Sequence, residues 1–214
     1  MLVGKRMTSN PITIKPDVPI AEAMEWMRRE KVRRFPVVDD TGALVGIVTN
    51  GDLLHASPSS VTSLNVWEVT YLLSLVKVKD VMTKEVITIC EDCPVEEAAR
   101  IMADNKISGL PVMRDGLLVG IITESDLFKV FLETFGARVK GVRMTLLAPN
   151  VKGSLAKISS TITDRGGYIV SLNVSLGDDP TNWVCTLKVS DMTMDDLIEA
   201  LTPVVIEIVD VREM

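Results

Sequence analysis

At 214 residues the chain has room for one large domain or two to three small ones, and 47% apolar residues with a mean hydropathy of +0.27 exclude a disordered chain, while 24% charged residues give a soluble protein's surface. No apolar run approaches the roughly 18–20 residues of a membrane span, and residues 1–7 lack the apolar stretch of a secretory signal, so a cytoplasmic protein is expected. A net charge of −6 and a pI near 4.9 argue against nucleic acid or anionic lipid as partner, although the first 55 residues carry eight Lys/Arg against seven Asp/Glu.

The first segment, Met7 to Ile14, returns 75 residues later as Met82 to Ile89, and Asp17 to Ile20 returns as Asp92 to Val95. Ile20, Ala23, Met24 and Met27 fall at i, i+3, i+4 and i+7, as do Val95, Ala98, Ala99 and Met102, so each repeat has an amphipathic helix whose methionines face its core. Phe35-Pro36-Val37 and Leu110-Pro111-Val112 follow as strands. A turn at Asp39 to Gly42, shortened to the hairpin pair Asp115-Gly116 in the second copy, leads to Gly46-Ile-Val-Thr49-Asn50-Gly-Asp52 and, 74 residues on, Gly120-Ile-Ile-Thr123-Glu124-Ser-Asp126. About 48 residues are duplicated in all. One copy alone leaves an apolar sheet face uncovered; two packed together bury it and create two equivalent clefts.

Each duplicated stretch ends as a strand running straight into a helix start. Such a junction offers a Thr hydroxyl, unpaired backbone N–H groups and a positive dipole end to an anion such as phosphate, and an Asp for the two hydroxyls of a ribose. Thr-x-x-Asp is also a capping box in which the side chains satisfy their own backbone. Both readings stand on the sequence.

Cys90-Glu-Asp-Cys93 has redox-pair spacing, but no second such pair and a single histidine, His55, speak against a structural zinc; with Cys185 the cysteines are odd in number, which fits a reducing compartment. A turn between strand and helix is the simpler reading of the pair. After a loop from His55 to Ser63, Leu64 to Val76 has helical character, with Trp67, Tyr71 and Leu75 at spacing four, and reads as a connecting helix. Beyond a glycine-flanked hinge at 136–141 the pattern is strand (142–147), loop and helix (Leu155, Ile158, Ile162), two alternating strands (168–176 and 183–189), a short helix (195–201) and a last strand (204–211), the βαββαβ order of a ferredoxin-like domain.

With these residues in view, 7–133 resembles a tandem pair of CBS domains (a Bateman module), and 142–212 resembles an ACT domain through Asn150-x-x-Gly153-x-Leu155. The combination resembles the acetoin-utilisation type of CBS–ACT protein. The implied architecture is α+β: a first CBS domain at 1–61, a connecting helix at 62–77, a second CBS domain at 78–135, the hinge at 136–141 and the ACT domain at 142–214. The resemblance implies a non-catalytic regulatory sensor, a homodimer, binding AMP, ADP, ATP or S-adenosylmethionine with no required cofactor or metal. One cleft is then formed by Ile12, Thr13, Arg34, Phe35, Pro36, Val37, Thr49 and Asp52, and the other by Ile87, Thr88, Leu110, Pro111, Val112, Thr123 and Asp126. Asn150, Gly153 and Asn173 would hold an amino acid at a dimer interface, although Lys152 stands where many amino-acid-binding members have Pro.

The clefts are expected to differ. Arg33-Arg34 stands where the second copy has Ser108-Gly109, and Asn50 where it has Glu124. Arg34 would fork onto the phosphates of a di- or triphosphate, leaving adenosine, AMP or a cationic adenosyl compound to the second cleft. The alternative is that Arg28, Arg29, Arg33 and Arg34 are a solvated helix end paired with Glu25 and Glu30. Two other functions remain open at this level: a dimerisation module with ligand-silent clefts, and an enzyme using Cys90 and Cys93, for which no nucleophile–base constellation is visible.

Overall fold

The computed structural model describes residues 1–57 and 75–214, so most of the expected connecting helix, with Trp67 and Tyr71, lies outside the described residues. The elements are β1 (Thr8–Ser9), α1 (Ile20–Glu30), β2 (Arg34–Val38), β3 (Leu44–Thr49), α2 (Asn50–His55), α3 (Val78–Val81), β4 (Ile89–Cys90), α4 (Val95–Asn105), β5 (Gly109–Arg114), β6 (Leu117–Thr123), α5 (Glu124–Thr134), β7 (Val142–Pro149), α6 (Ser154–Asp164), β8 (Tyr168–Leu176), β9 (Asn182–Ser190), α7 (Met194–Leu201) and β10 (Glu207–Glu213). Residues 1–127 and 128–214 form two compact units.

In the first unit the duplication extends to backbone detail. Pro19 and Pro94 precede the helices in extended conformation, and the predicted stripes are buried at Ile20, Ala23 and Met27 of α1 and at Val95, Ala98 and Met102 of α4. Both helices end on a lysine in the left-handed region, Lys31 at φ 55° and Lys106 at φ 54°. There Val32 N–H reaches Met27 O and Ile107 N–H reaches Met102 O, each at 3.0 Å, a Schellman closure that turns the chain into the next strand.

The hairpins β2–β3 and β5–β6 share one register: Phe35 faces Val48 and Val37 faces Gly46, as Leu110 faces Ile122 and Val112 faces Gly120, with a bulge after Val37 and after Val112. On the inner side Ile14 pairs in parallel with Val37, matching the parallel β4–β5 pair. On the outer side the repeats exchange segments. β1, which leads into the first repeat, pairs with β6 of the second, while Thr83, which leads into the second, pairs with Ile47 of the first. The exchange explains the first residue of each duplicated signature. A Cβ on Gly46 would lie 2.5 Å from Met82 Sδ, and one on Gly120 would collide with Met7 Sδ, so each glycine makes room for a methionine delivered from the other repeat's leading segment. Ile14, Ile20, Phe35, Val37, Val48 and Leu53 make the core of the first repeat.

The second unit runs β7-α6-β8-β9-α7-β10 around a sheet of order β10-β7-β9-β8, every adjacent pair antiparallel. Burial alternates along β7, with Val142, Met144, Leu146 and Ala148 inward, and these pack with Ile158, Ile162, Leu197 and Leu201 of the two helices. The division between units falls inside α5, between residues 127 and 128. The physical reason is local: Asn173 Nδ2 donates to Thr134 O (3.3 Å), and the buried Lys188 ammonium donates to Gly136 O (3.1 Å). Gly141 and Met214 exchange both backbone hydrogen bonds at 2.9 Å.

Candidate functional site

At the end of β3 the chain reaches Thr49 in extended conformation and then starts α2. Asp52 Oδ2 accepts from Thr49 N–H (2.8 Å) and from Thr49 Oγ1–H (2.7 Å), while Asp52 N–H donates to Thr49 Oγ1 (3.3 Å). At the end of β6, Asp126 Oδ2 accepts from Thr123 N–H (3.1 Å) and Thr123 Oγ1–H (2.8 Å). Each helix start is also tied to the neighbouring strand, Asn50 N–H donating to Arg33 O (2.9 Å) and Glu124 N–H to Ser108 O (3.3 Å). The capping box is therefore complete at Thr49/Asp52, and at Thr123/Asp126 the Asp side chain makes its half of it.

Capping limits what the site can do. A hydroxyl has one proton, and that of each Thr is spent on the Asp. A phosphate oxygen at Thr49 must take over that proton, at a cost on the order of one hydrogen bond, ~1 kcal/mol. Asp52 meets the cap through Oδ2 alone, which leaves Oδ1 to accept from a diol. The two carboxylates differ in access: Asp52 is half-buried, whereas Asp126 is only 8% exposed.

The apolar positions sort by burial. Ile12 and Ile87, equivalent in the two copies, are 42% and 40% exposed, an open surface of the kind a purine ring covers. Phe35, Val37, Leu110 and Val112 are fully buried in the core, and Pro36 and Pro111 are buried beside them; Thr13 and Thr88 are half-buried.

Arg34 reaches across the repeats. Its guanidinium Nη2 donates to Ser108 Oγ (2.7 Å), and it occupies the space beside Gly109, where a Cβ would collide with Nη1. Burial pulls its pKa below the ordinary arginine value, with Glu124 opposing and Arg33 adding to the depression. The Arg33-Arg34 versus Ser108-Gly109 difference is thus one contact: the large cation of one copy fits where the other copy has two small residues. Of the other cations at this helix end, Arg29 pairs with Glu30 (2.8 Å) and lies over the Trp26 ring. Arg28, Lys31 and Arg33 instead line, with Asn50 and Leu54, a groove of about 430 Å³ between the end of α1 and the start of α2.

In the second unit Asn150 Nδ2 donates to Pro180 O (2.8 Å), Gly153 caps the start of α6 at φ 91°, and Asn173 is bound to Thr134 O. Asn173 lies in the ladder row of Thr186 and Thr145, and Asn150 is five residues beyond Thr145. At ~3.3 Å per residue that is roughly 16 Å along the sheet, so one chain does not bring the two asparagines together. Cys90 and Cys93 form a disulfide in the turn between β4 and α4, so the expected turn is closed by a covalent bond. Cys185 is a buried thiol whose pKa burial pushes up to about 11. No cluster of three or more metal-binding side chains occurs among the described residues, nor is any of their helices long and apolar enough to cross a membrane. Sequence reasoning missed the exchanged Met7 and Met82 and the Arg34–Ser108 bond. The 75-residue offset between Met7 and Met82 was a signal, but nothing in it says which copy a segment pairs with.

The family model for the CBS domain matches residues 3–59 and 78–133. The chain belongs to the CBS-domain family. A CBS domain-containing protein of Dictyostelium discoideum is 34% identical over 134 residues, covering 62% of this chain and 92% of the relative. Inosine-5'-monophosphate dehydrogenase of Aquifex aeolicus is 35% identical over 125 residues, 58% of this chain but only 23% of that enzyme, so the likeness is confined to a fraction of the enzyme's length. Among solved structures, the CBS domain pair of protein MJ0100 in complex with 5'-methylthioadenosine and S-adenosyl-L-methionine is 32% identical with a TM-score of 0.52, covering 65% of this chain and 98% of that one. CBSX2 in complex with AMP is 33% identical with a TM-score of 0.50, covering 61% and 96%. A Vibrio cholerae protein proposed to be an acetoin utilization protein (AcuB) is 29% identical with a TM-score of 0.53, covering 64% and 95%.

Proposed function

We propose that the chain is a non-catalytic regulatory sensor that binds adenosine-containing ligands, AMP, ADP, ATP or S-adenosylmethionine, at the Thr49/Asp52 and Thr123/Asp126 junctions. The observation that carries this reading is the twofold occurrence of one geometry, a strand ending on a Thr whose amide and hydroxyl both donate to one oxygen of the Asp three residues on. Ile12 and Ile87 supply the exposed apolar surface in each copy. The adenosine ligands of the MJ0100 and CBSX2 structures support the ligand class. The Asp carboxylates accept from the ribose diol, charged hydrogen bonds of roughly 1.5–3 kcal/mol each.

Ligand binding to the folded state raises thermal stability by mass action, about 2.7 kcal/mol at a ligand concentration of 100 Kd. Thermal unfolding of the full chain with each adenosine compound tests the proposal. Asp52→Ala with Asp126→Ala lowers the unliganded melting temperature through loss of the caps and abolishes the ligand-dependent rise. A wild-type protein that no adenosine compound stabilises would instead be a module with silent clefts.

We also propose that the second unit acts as an ACT-type dimerisation domain, on the support of its βαββαβ order and its sheet order with the first strand central. Because Asn150 and Asn173 are separated within a chain, an amino acid between them requires two chains. Native mass spectrometry of the full protein reads the dimer and any retained amino acid together, and a monomer at micromolar concentration would refute this assignment.

A further inference from the structure

The turn Cys90-Glu91-Asp92-Cys93 has no part in the capped junctions, yet it is bound to the segment that leads into the fold. Val3 N–H donates to Cys93 O (2.8 Å), Gly4 N–H to Glu91 O (2.9 Å), and Val95 N–H to Met1 O (3.0 Å). Val3 is fully buried, Gly4 leaves room for the Glu91 side chain, and Arg114 holds the Glu91 carboxylate at 3.0 Å. From there the chain carries Met7 onto Gly120 and pairs Thr8 with Ile121, two residues before Thr123. The turn that holds the cysteines thus anchors the strand that covers the second signature. The first repeat anchors its partner segment through the same backbone bonds, Val78 N–H to Val18 O (2.9 Å), Lys79 N–H to Pro16 O (2.9 Å) and Ile20 N–H to Val76 O (3.0 Å), with Lys15 and Val18 in place of the cysteines, so the disulfide alone sets the second turn apart.

We propose that Cys90 and Cys93 are a thiol–disulfide exchange site for dithiol reductants, and that its redox state sets the order of residues 1–9 and through them the second junction. Cys90 is exposed and Cys93 partly so. A thiolate of the dithiol attacks Cys90 Sγ, forming a mixed disulfide, and Cys93 leaves as a thiolate that takes up a proton. The reductant's second thiol then attacks its own sulfur in the mixed disulfide, releasing Cys90 as a thiol. The dithiol ends as a cyclic disulfide, and two electrons and two protons have passed to the protein. Glutathione disulfide restores the bond: one cysteine thiolate attacks it to form a protein–glutathione mixed disulfide and release one glutathione, and the other cysteine then attacks the protein sulfur and releases the second. Opening the bond frees the backbone whose carbonyls at Cys93 and Glu91 accept from Val3 N–H and Gly4 N–H, so those amides lose protection first.

The test is hydrogen exchange on the full chain, oxidised with glutathione disulfide or reduced with dithiothreitol, with iodoacetamide labelling to count thiols. Cys185, buried in the other unit, is the slow internal control. Oxidised protein should label at neither Cys90 nor Cys93, and reduction should expose both and speed exchange at Val3, Gly4 and Ile121 roughly tenfold. Cys90→Ser with Cys93→Ser should exchange like the reduced protein under both conditions. Equal exchange in the two redox states, or labelling of both cysteines after oxidation, overturns the proposal. A second arm, which rests on the adenosine reading, measures AMP affinity in the Asp52→Ala background. Reduction should weaken it several-fold, and an unchanged affinity breaks the link to the junction. Absence of AMP binding in either state fails the adenosine reading alone, because the exchange rates decide the redox site without it.

Discussion

Lys31 and Lys106 hold left-handed backbone at the ends of α1 and α4, a conformation that costs a residue with a Cβ roughly 1–2 kcal/mol and glycine almost nothing. Both side chains are exposed, so Lys31→Gly and Lys106→Gly should each stabilise the protein by up to about 1 kcal/mol, read as a higher denaturant midpoint at unchanged slope. Gly46 is the opposite case. Ala there places a methyl against Met82 Sδ and 3.1 Å from Thr83 O, and overpacking of this kind costs about 1–3 kcal/mol. Met82→Ala in the same chain should recover part of the loss, because the methionine tip is the nearer obstacle; strict additivity of the two substitutions would mean they do not share that space.

Among the elements, α1 and α4 were legible because their stripes repeat at helical spacing, and the hairpins because Phe35-Pro36-Val37 and Leu110-Pro111-Val112 precede turn residues. The exchange of β1 and Thr83 between repeats was not. Each partner strand is one or two residues long, too short to carry a periodicity, and Met7 and Met82 look like ordinary core methionines until Gly46 and Gly120 are seen against them. The Arg34 contrast was legible as a difference between copies but not as a contact between them. Its physical content can be measured: a double-mutant cycle of Arg34→Ala and Ser108→Ala should give a coupling energy of about 0.5–1.5 kcal/mol. A zero coupling would mean that the guanidinium does not hold Ser108 in solution. The helix α5 continues without a break through residues 127 and 128, and the bonds from Asn173 to Thr134 O and from Lys188 to Gly136 O that tie its end into the second unit come from far along the chain, where no local pattern announces them.

For the molecule as a whole, several carboxylates are held below the ordinary carboxylate range: Asp17 by its hydrogen bonds to Lys79 and then Lys77, Asp210 by Arg212 and the Arg143 charge, and Asp39 by the Thr41 hydroxyl. A pKa depressed in the folded state contributes stability that is present above the unfolded value of 3.8 and is lost as the pH falls through the folded value. These groups should therefore add no pH dependence between about pH 5 and 7, with the loss setting in below about pH 4. The Asp17 and Asp210 ion pairs lie at the surface, so added salt should shrink their share.

The two units each have their own buried cluster, one around Phe35 and Ile20 and the other around Met144 and Ile158, and the family match ends at residue 133. Calorimetry should accordingly resolve two transitions instead of one cooperative step. An adenosine ligand that binds Thr49/Asp52 or Thr123/Asp126 touches only the first unit, so it should raise one transition and leave the other in place, and Asp52→Ala should lower that same one. If ligand instead moves both transitions together, the free energy of binding is shared between the units. The second would then report the occupancy of the first, the behaviour a regulatory relay requires of differential affinity.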